Sequence, residues 1–256
     1  MIPFVKAPNE NNFIVNSDLV LLLTACINPS GMSKTALQDK DKRLAQYKTA
    51  LDWYLQNTDI KIVFAENTCF DISNDYTEYT KQGRLEILTF DGNNYDKNLG
   101  KGFGEALIIE YAFKYSHLIK SAKDVLKVTG RLIIKNINQL LNNSRQGILY
   151  CNLVKASSRK NTGYSIFFRA PKSFFTECFL KNINLINDET LYYFEHYLND
   201  CCITWQKDGN VWKEFWLPIL ICGQSGTSGT NYKTSYSMYI KQFLRYILHK
   251  CGIYKL

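Results

Sequence analysis

The stretch DLVLLLTACI, residues 18–27, is an almost unbroken apolar run. Such a run, bounded by turn residues, is typical of a β-strand that is buried on both faces of a parallel sheet. The residues that follow it, Asn28-Pro29-Ser30-Gly31, favour a loop. We therefore expect the fold to begin with a central strand that ends near Ile27.

Strand and helix patterns alternate after this first strand. Apolar residues recur at helical spacing over residues 41–56 and 104–120, and short apolar runs cover residues 61–65, 84–90 and 124–128. This βαβ alternation predicts an α/β fold, with a mostly parallel sheet of the Rossmann type flanked by helices.

The second half is less regular. It contains strand-like segments at 147–154 and 164–169 and helix-like segments at 171–179 and 188–198, and the apolar stretch 212–222 is interrupted by Pro218. A chain of 256 residues fits one α/β domain of about 200–250 residues with an appendage. We therefore predict a single domain over residues 1–234, followed by a C-terminal basic amphipathic helix over residues 235–256.

Charge and cysteine content indicate the environment. The formal net charge of +8 suits an anionic partner, although a cationic surface can also serve solubility alone. Eight cysteines form no CxxC pair, and the first 16 residues lack the apolar core of a secretory signal, which predicts a cytoplasmic protein with reduced thiols. The C-terminal helix combines cations with aromatic and aliphatic residues. It is predicted to contact an anionic membrane peripherally at its inner face, or else to dock on the core.

Candidate ligand-binding residues follow from the sheet, because ligands bind outside the carboxyl ends of parallel strands. The glycine-rich segment Gly100–Glu105 precedes a predicted helix, whose free N–H groups and positive dipole end suit a pyrophosphate, with Lys101 adding a charge. An ordinary helix-capping loop is the alternative. Lys127, Thr129 and Arg131 alternate along the fourth strand and can share one face, as a phosphate clamp or as a solvated strand edge.

A carboxylate or histidine near an acceptor hydroxyl could take its proton. Asp188 opens a predicted helix, where it could equally be an N-cap, and Glu195 and His196 are its rivals. Asp39-Lys40-Asp41 has DxD spacing, but its position predicts a helix cap rather than a metal site.

Several short stretches, taken in order, resemble bacterial glycosyltransferases of lipopolysaccharide and capsule gene clusters, with a fold of the GT-A type but no standard DxD motif. They are LTACIN (23–28) with Arg43 and Gln46-Tyr47, FAEN (64–67), KGFGE (101–105), KVTGR (127–131), Asn187-Asp188, FEH (194–196) and GQSGTSG (223–229). They span residues 18 to 231.

The resemblance implies roles for these residues. The nucleotide-sugar donor would contact Thr24, Ala25, Cys26, Asn28, Arg43, Glu66, Asn67, Lys101, Gly102, Gly104, Glu105, Lys127, Thr129 and Arg131. Asp188, Glu195 and His196 would be the catalytic candidates, and Ser225, Gly226 and Thr227 would form a lid. In many GT-A enzymes a DxD motif binds a divalent metal where KVTGR stands here, so dependence on magnesium or manganese is open. No other cofactor is expected.

The implied activity is transfer of a sugar, with a hexose favoured, from a nucleotide-sugar, with a UDP-sugar favoured, to a hydroxyl of lipopolysaccharide, capsule or another surface glycan. The acceptor could be lipid-linked. A methyltransferase that uses S-adenosylmethionine is the main alternative, with Glu66 as the acidic end of the second strand. A basic nucleic-acid-binding protein is a third, disfavoured because the aromatic residues follow core-like patterns.

Overall fold

The computed structural model describes residues 18–29, 31–32, 35–155, 161–226 and 228–232, together with residues 240, 243, 244, 247 and 248. Apart from those last five residues, the predicted C-terminal helix lies outside the described residues, as does Thr227 of the predicted lid. Within the described residues, no helix is both long enough and apolar enough to cross a membrane.

The described strands follow one another in chain order. They are β1 (Leu19–Ala25), β2 (Lys61–Glu66), β3 (Leu85–Thr89), β4 (Asp124–Thr129), β5 (Ile133–Ile134), β6 (Leu149–Tyr150), β7 (Leu153–Lys155), β8 (Asn161–Gly163), β9 (Phe167–Pro171), β10 (Trp212–Lys213), β11 (Ile221–Gln224) and β12 (Asn231–Tyr232).

The central sheet has the order β10-β6-β9-β4-β1-β2-β3. β1 pairs in parallel with β2 and β4, and β2 pairs in parallel with β3, whereas β9 runs antiparallel to β4 and β6. β11 joins β5 and β12 in a smaller antiparallel sheet, and β7 pairs with β8. The predicted fold class, a mostly parallel α/β sheet flanked by helices, is confirmed.

The helices cover both faces of this sheet. They are α1 (Lys40–Asn57), α2 (Thr77–Lys81), α3 (Gly100–Tyr115), α4 (His117–Ser121), α5 (Ile137–Asn142), α6 (Lys172–Glu177) and α7 (Phe194–Lys207), with 3₁₀ turns at Ser73–Tyr76, Lys97–Leu99 and Phe179–Leu185. The predicted cap of the first helix is confirmed, since the Asp39 carboxylate accepts from the backbone N–H groups of Asp41 and Lys42 at 3.0 and 3.1 Å.

Burial on both faces explains the apolar first strand. Val20 and Leu22 of β1 pack into a core shared with α3, α6 and α7, whereas Leu21 and Leu23 face the core on the side of α1. Because alternate side chains of a strand point to opposite faces, a strand with two covered faces needs apolar residues throughout.

Two predicted helices have different bounds in the structure. The pattern over 104–120 is divided into α3 and α4, because Ser116 is extended and its hydroxyl accepts from the N–H of Ile119, which starts a new helix. The helix expected from Asp188 begins only at Phe194. Asp188 lies instead in a turn closed by the bridge between Asn187 and Tyr192.

Candidate active site

A cleft of about 660 Å³ opens at the carboxyl ends of β1, β2 and β4. Small-molecule sites commonly have volumes of about 300–1,000 Å³. The cleft is lined by residues that end these strands, by the first turns of α3, by the start of α7 and by the turn that holds Asp188. The predicted residues that it brings together are Thr24, Ala25, Cys26, Arg43, Asn67, Lys101, Gly102, Gly104, Glu105, Thr129, Arg131, Asp188, Glu195, Ser225 and Gly226.

An ion pair lies at the floor of the cleft. Lys127 of β4 places its Nζ 2.6 Å from Oε1 of Glu105, in the second turn of α3. Thr24 donates to the same oxygen at 2.7 Å, and Thr129 does so at 3.3 Å. Burial raises the pKa of Glu105, but Lys127 and the two hydroxyl donors outweigh this and hold that pKa below its ordinary value. Glu105 is therefore an anion stabilised from three sides.

This ion pair corrects the predicted phosphate clamp. Lys127 is fully buried, does not line the cleft, and donates to the carbonyl oxygen of Ser165 at 2.6 Å as well as pairing with Glu105. Its positive charge is thus neutralised within the protein. Of the three predicted clamp residues, Thr129 and Arg131 line the cleft.

Arg131 and Lys101 are the cations that line the cleft near its acidic groups. The Arg131 guanidinium donates to the backbone carbonyl of Gln224, and a side chain at Gly226 would come within 2.1 Å of its Nη2. Loss of hydration lowers the pKa of Lys101, with a further lowering by Arg131, while Glu195, Glu105 and Asp188 act in the opposite direction. These four groups and Lys101 all line this one cleft.

Two carboxylates on separate elements line this region. Asp188 belongs to the turn before α7. A Cβ added at Gly100 would lie only 2.1 Å from Asp188 Cγ. Gly100 also has a φ of 85°, so both the backbone conformation and the close approach require glycine. Glu195, in the first turn of α7, accepts a hydrogen bond from the hydroxyl of Ser165 at 2.8 Å.

Asn67, which follows β2, offers an acceptor in the lining of the cleft. Its side chain is buried, and its Nδ2 donates to the Gly92 carbonyl at 3.5 Å. Its Oδ1 has no hydrogen-bond partner among the described residues. A buried acceptor without a partner costs about 1–3 kcal/mol, so this atom is suited to an N–H or O–H group of a ligand.

The predicted role of Glu66 is corrected by its contacts. Glu66 is fully buried and does not line the cleft. Its carboxylate accepts from the backbone N–H groups of Ile27, Thr68 and Phe70 at 2.8–3.0 Å. It therefore organises the loops after β1 and β2 rather than facing a nucleoside. Asn28 is exposed and also lies off the cleft.

His196 also lies off the cleft. Its Nδ1 accepts from the backbone N–H of Tyr193 at 3.3 Å, as part of a capping box at the start of α7. His196 was predicted as a proton acceptor, but this contact makes it a capping residue of α7. Arg43 lines the cleft but is nearly buried, and its Nε donates to the carbonyl of Cys26 at 2.8 Å, which orients the loop after β1.

No group of three or more His, Cys, Asp and Glu side chains in the described part of the chain is placed to hold a metal ion. The carboxylates that line the cleft are those of Asp188, Glu195 and Glu105.

Comparison with known proteins gives likeness in fold only. No protein-family model matches the chain, and no curated protein does either. The chain is similar to the inositol-1-phosphate CTP transferase of T. maritima, with a TM-score of 0.44 and 10% identity over 90% of this chain and 96% of the other.

Two further solved structures are similar. One, described as a nucleotide-diphospho-sugar transferase from Desulfovibrio desulfuricans, has a TM-score of 0.38 and 13% identity over 77% of this chain and 79% of its own. The other is core-mannan synthase A from Aspergillus fumigatus in an Mn/GDP form, with a TM-score of 0.38 and 9% identity over 87% and 82%. At these low scores and identities, the function proposed below rests on the residues of the cleft.

Some cleft residues were not found from the sequence. Tyr95, Thr162, Tyr164, Ser165 and Tyr193 also line the cleft. They belong to loops and short strands, which carry no periodic pattern. The segment 164–169 was expected to be one strand, but β9 begins only at Phe167, and Ser165 lies in the turn before it.

Proposed function

We propose that this chain is a glycosyltransferase, which moves a hexose from a nucleotide-sugar to a hydroxyl of a bacterial surface glycan such as lipopolysaccharide or capsule. The observation that carries the proposal is that Arg131, Lys101, Asp188 and Glu195 line one cleft. Such a site combines cations for a leaving diphosphate with carboxylates for a nucleophilic hydroxyl.

The donor is proposed to lie across the carboxyl ends of the parallel strands. The nucleoside would bind near Ala25, Cys26 and Asn67, where Asn67 Oδ1 can accept from a nucleobase or ribose. The diphosphate would bind at Arg131 and Lys101. We favour UDP as the nucleotide. Arg131 is suited to phosphate because its planar guanidinium can donate two parallel hydrogen bonds.

The transfer step follows from these positions. The acceptor oxygen forms a bond to the anomeric carbon of the sugar, and the bond between that carbon and the diphosphate oxygen breaks. The electron pair of the broken bond stays on the nucleoside diphosphate, whose charge Arg131 and Lys101 stabilise. The hydroxyl proton goes to a carboxylate, for which Asp188 and Glu195 are the two candidates in the cleft.

A methyltransferase is the second function to be tested. An acidic residue at the end of the second strand would have to face the ribose of S-adenosylmethionine. The Glu66 carboxylate accepts three backbone N–H groups instead, which disfavours that function.

Peripheral contact with an anionic membrane is part of the proposal. Ile240, Leu244, Ile247 and Leu248 are exposed, and their spacing places them on one face of a helix. The sequence around them supplies Lys241, Arg245 and Lys250. Apolar side chains with neighbouring cations are suited to the surface of an anionic bilayer.

The test is a thermal-unfolding screen against UDP, GDP, CMP, their sugars and S-adenosylhomocysteine, each with EDTA and with manganese. A ligand at about 100 times its dissociation constant should stabilise the protein by about 2.7 kcal/mol. Stabilisation by one nucleotide, followed by release of that nucleotide from its sugar, supports the proposal and identifies the donor. Stabilisation by S-adenosylhomocysteine alone contradicts it.

A further inference from the structure

A chain of polar contacts connects the floor of the cleft to Glu195. Lys127 Nζ contacts Glu105 Oε1 and the Ser165 carbonyl oxygen, both at 2.6 Å, and Thr129 Oγ1 at 3.3 Å. Ser165 is itself nearly buried and uses its hydroxyl to donate to Glu195 Oε1 at 2.8 Å. Ser165 thus joins a buried ion pair to a carboxylate of the cleft.

A second contact leads from Lys127 to the same carboxylate. The Lys127 ammonium lies 5.4 Å from the ring centroid of Phe194, the first residue of α7 and the neighbour of Glu195. The start of α7 is also close to α3, because a Cβ at Gly102 would lie 2.9 Å from Cβ of Phe194. Glu195 is therefore held through its side chain, by Ser165, and through its helix.

We infer that Lys127 and Ser165 are positioning residues for Glu195, which fix its carboxylate in the orientation that contacts the acceptor during sugar transfer. The inference rests on the proposed function. A buried lysine with three polar contacts is costly to form, and it can be retained where it specifies one arrangement. A functional side chain depends on surrounding contacts to lock its rotamer.

Asp188 and Glu195 lie on different kinds of element. Asp188 lies in a turn of four residues, where its backbone N–H donates to the Leu99 carbonyl at 3.1 Å. Glu195 lies in a helix of 14 residues and is connected to the central sheet through Lys127.

The first test uses Ser165→Ala, with Ser165→Thr as the conservative variant and Ser121→Ala as the control for an exposed hydroxyl. Because Ser165→Ala removes the donor to Glu195, the Glu195 carboxylate should be misplaced. The variant should lower kcat about tenfold to a hundredfold, leave the donor KM unchanged and alter the pH–rate profile. Ser165→Thr retains the hydroxyl and should restore most of kcat. A wild-type kcat and pH profile in Ser165→Ala would overturn the inference.

The second test separates positioning from charge neutralisation. Lys127→Met leaves Glu105 unpaired, so loss of stability alone could explain loss of turnover. The double variant Lys127→Met/Glu105→Gln removes both charges, and its thermal stability should recover while kcat remains low. Recovery of both quantities would show that Lys127 only neutralises Glu105, and the inference would be wrong.

A third measurement needs no turnover. The ¹³C resonance of the Glu195 carboxyl carbon, assigned by its loss in Glu195→Gln, should move in Ser165→Ala and stay unchanged in Ser121→Ala. If the wild-type protein transfers no sugar but this resonance moves, the proposed function fails while the structural link stands. If transfer is observed and the resonance does not move, the positioning inference fails alone.

Discussion

The ammonium nitrogen of Lys127 lies 2.6 Å from Oε1 of Glu105, and this pair links β4 to α3 beneath the cleft. Both charges are needed together, because removal of one partner of a buried pair leaves the other without compensation. We expect Lys127→Met to reduce the free energy of unfolding by about 3 kcal/mol. Urea denaturation of Lys127→Met beside Lys120→Met, which removes an exposed lysine, measures the effect. Equal stability of the two variants would contradict it.

The same pair predicts a pH dependence of stability. The pKa of Glu105 is lowered in the folded protein, although burial acts to raise it, because Lys127 and two hydroxyl donors favour the carboxylate. A lowered folded-state pKa contributes stability above the unfolded-state pKa and loses it as the pH falls through the folded-state value. The free energy of unfolding should therefore decrease more steeply below about pH 4.5 in the wild type than in Glu105→Gln. Parallel curves would show that Glu105 does not carry this dependence.

Arg131 is predicted to stabilise the leaving diphosphate. Arg131→Ala should lower kcat by about a hundredfold or more, because a donor that meets developing charge acts in the transition state. Arg145→Ala is the matched control, since Arg145 is exposed and lies off the cleft. Circular dichroism should show that both variants are folded. Full turnover by Arg131→Ala would exclude Arg131 from the diphosphate site.

Asp188 is one of the two cleft carboxylates that could take the proton of the acceptor hydroxyl. If it takes the proton, Asp188→Asn should reduce kcat by about 10²–10⁴ and leave nucleotide binding intact. Glu189→Gln is the matched control, because Glu189 is the exposed neighbour and does not line the cleft. Steady-state rates measure the loss of turnover, and calorimetry measures the affinity for the nucleotide. A normal rate in Asp188→Asn, with a low rate in Glu195→Gln, would assign the proton to Glu195.

The sequence was most informative where burial imposes a pattern. The apolar run of β1 and the alternation that follows it predicted the parallel sheet, and the strand ends placed Thr24, Asn67, Thr129 and Arg131 at one cleft. The roles predicted for individual side chains were less accurate.

The reason is that a charged residue at a strand end has the same sequence pattern whether it faces a ligand or a buried partner. Lys127 and Glu66 were expected in the donor site, but one is neutralised by Glu105 and the other accepts backbone N–H groups. Glu105 is 22 residues from Lys127, and Ile27 is 39 residues from Glu66. Local spacing therefore carries no sign of these two contacts. Ser165 was missed because its contact with Glu195 is set by a turn between two short strands.

Gly100 provides a prediction that joins fold and site. Gly100→Ala must adopt a φ of 85° and would also bring a Cβ within 2.1 Å of Asp188 Cγ. Gly83 has a φ of 66° but open space around the added Cβ, so Gly83→Ala carries the backbone strain without the collision. Gly83→Ala should destabilise the protein by about 1 kcal/mol, and Gly100→Ala should do so by more. Gly100→Ala should also reduce kcat because Asp188 is displaced. Equal stability losses with unchanged rates would show that the contact between Gly100 and Asp188 has no functional role.

Membrane contact by the C-terminal segment is predicted from both charge and exposed apolar residues. Removal of residues 235–256 should abolish binding to vesicles that contain anionic phospholipid, because each lysine or arginine near such a surface contributes about 1 kcal/mol. The exposed residues Ile240, Leu244, Ile247 and Leu248 supply the apolar part. Leu244→Ser/Ile247→Ser should weaken binding in high salt as well as in low salt, whereas Lys241→Gln/Arg245→Gln should weaken it chiefly in low salt. Vesicle co-sedimentation at two ionic strengths, with neutral vesicles as the control, separates these contributions. Undiminished sedimentation of the truncated protein would remove the membrane from the proposal and leave the transfer reaction in the cleft untouched.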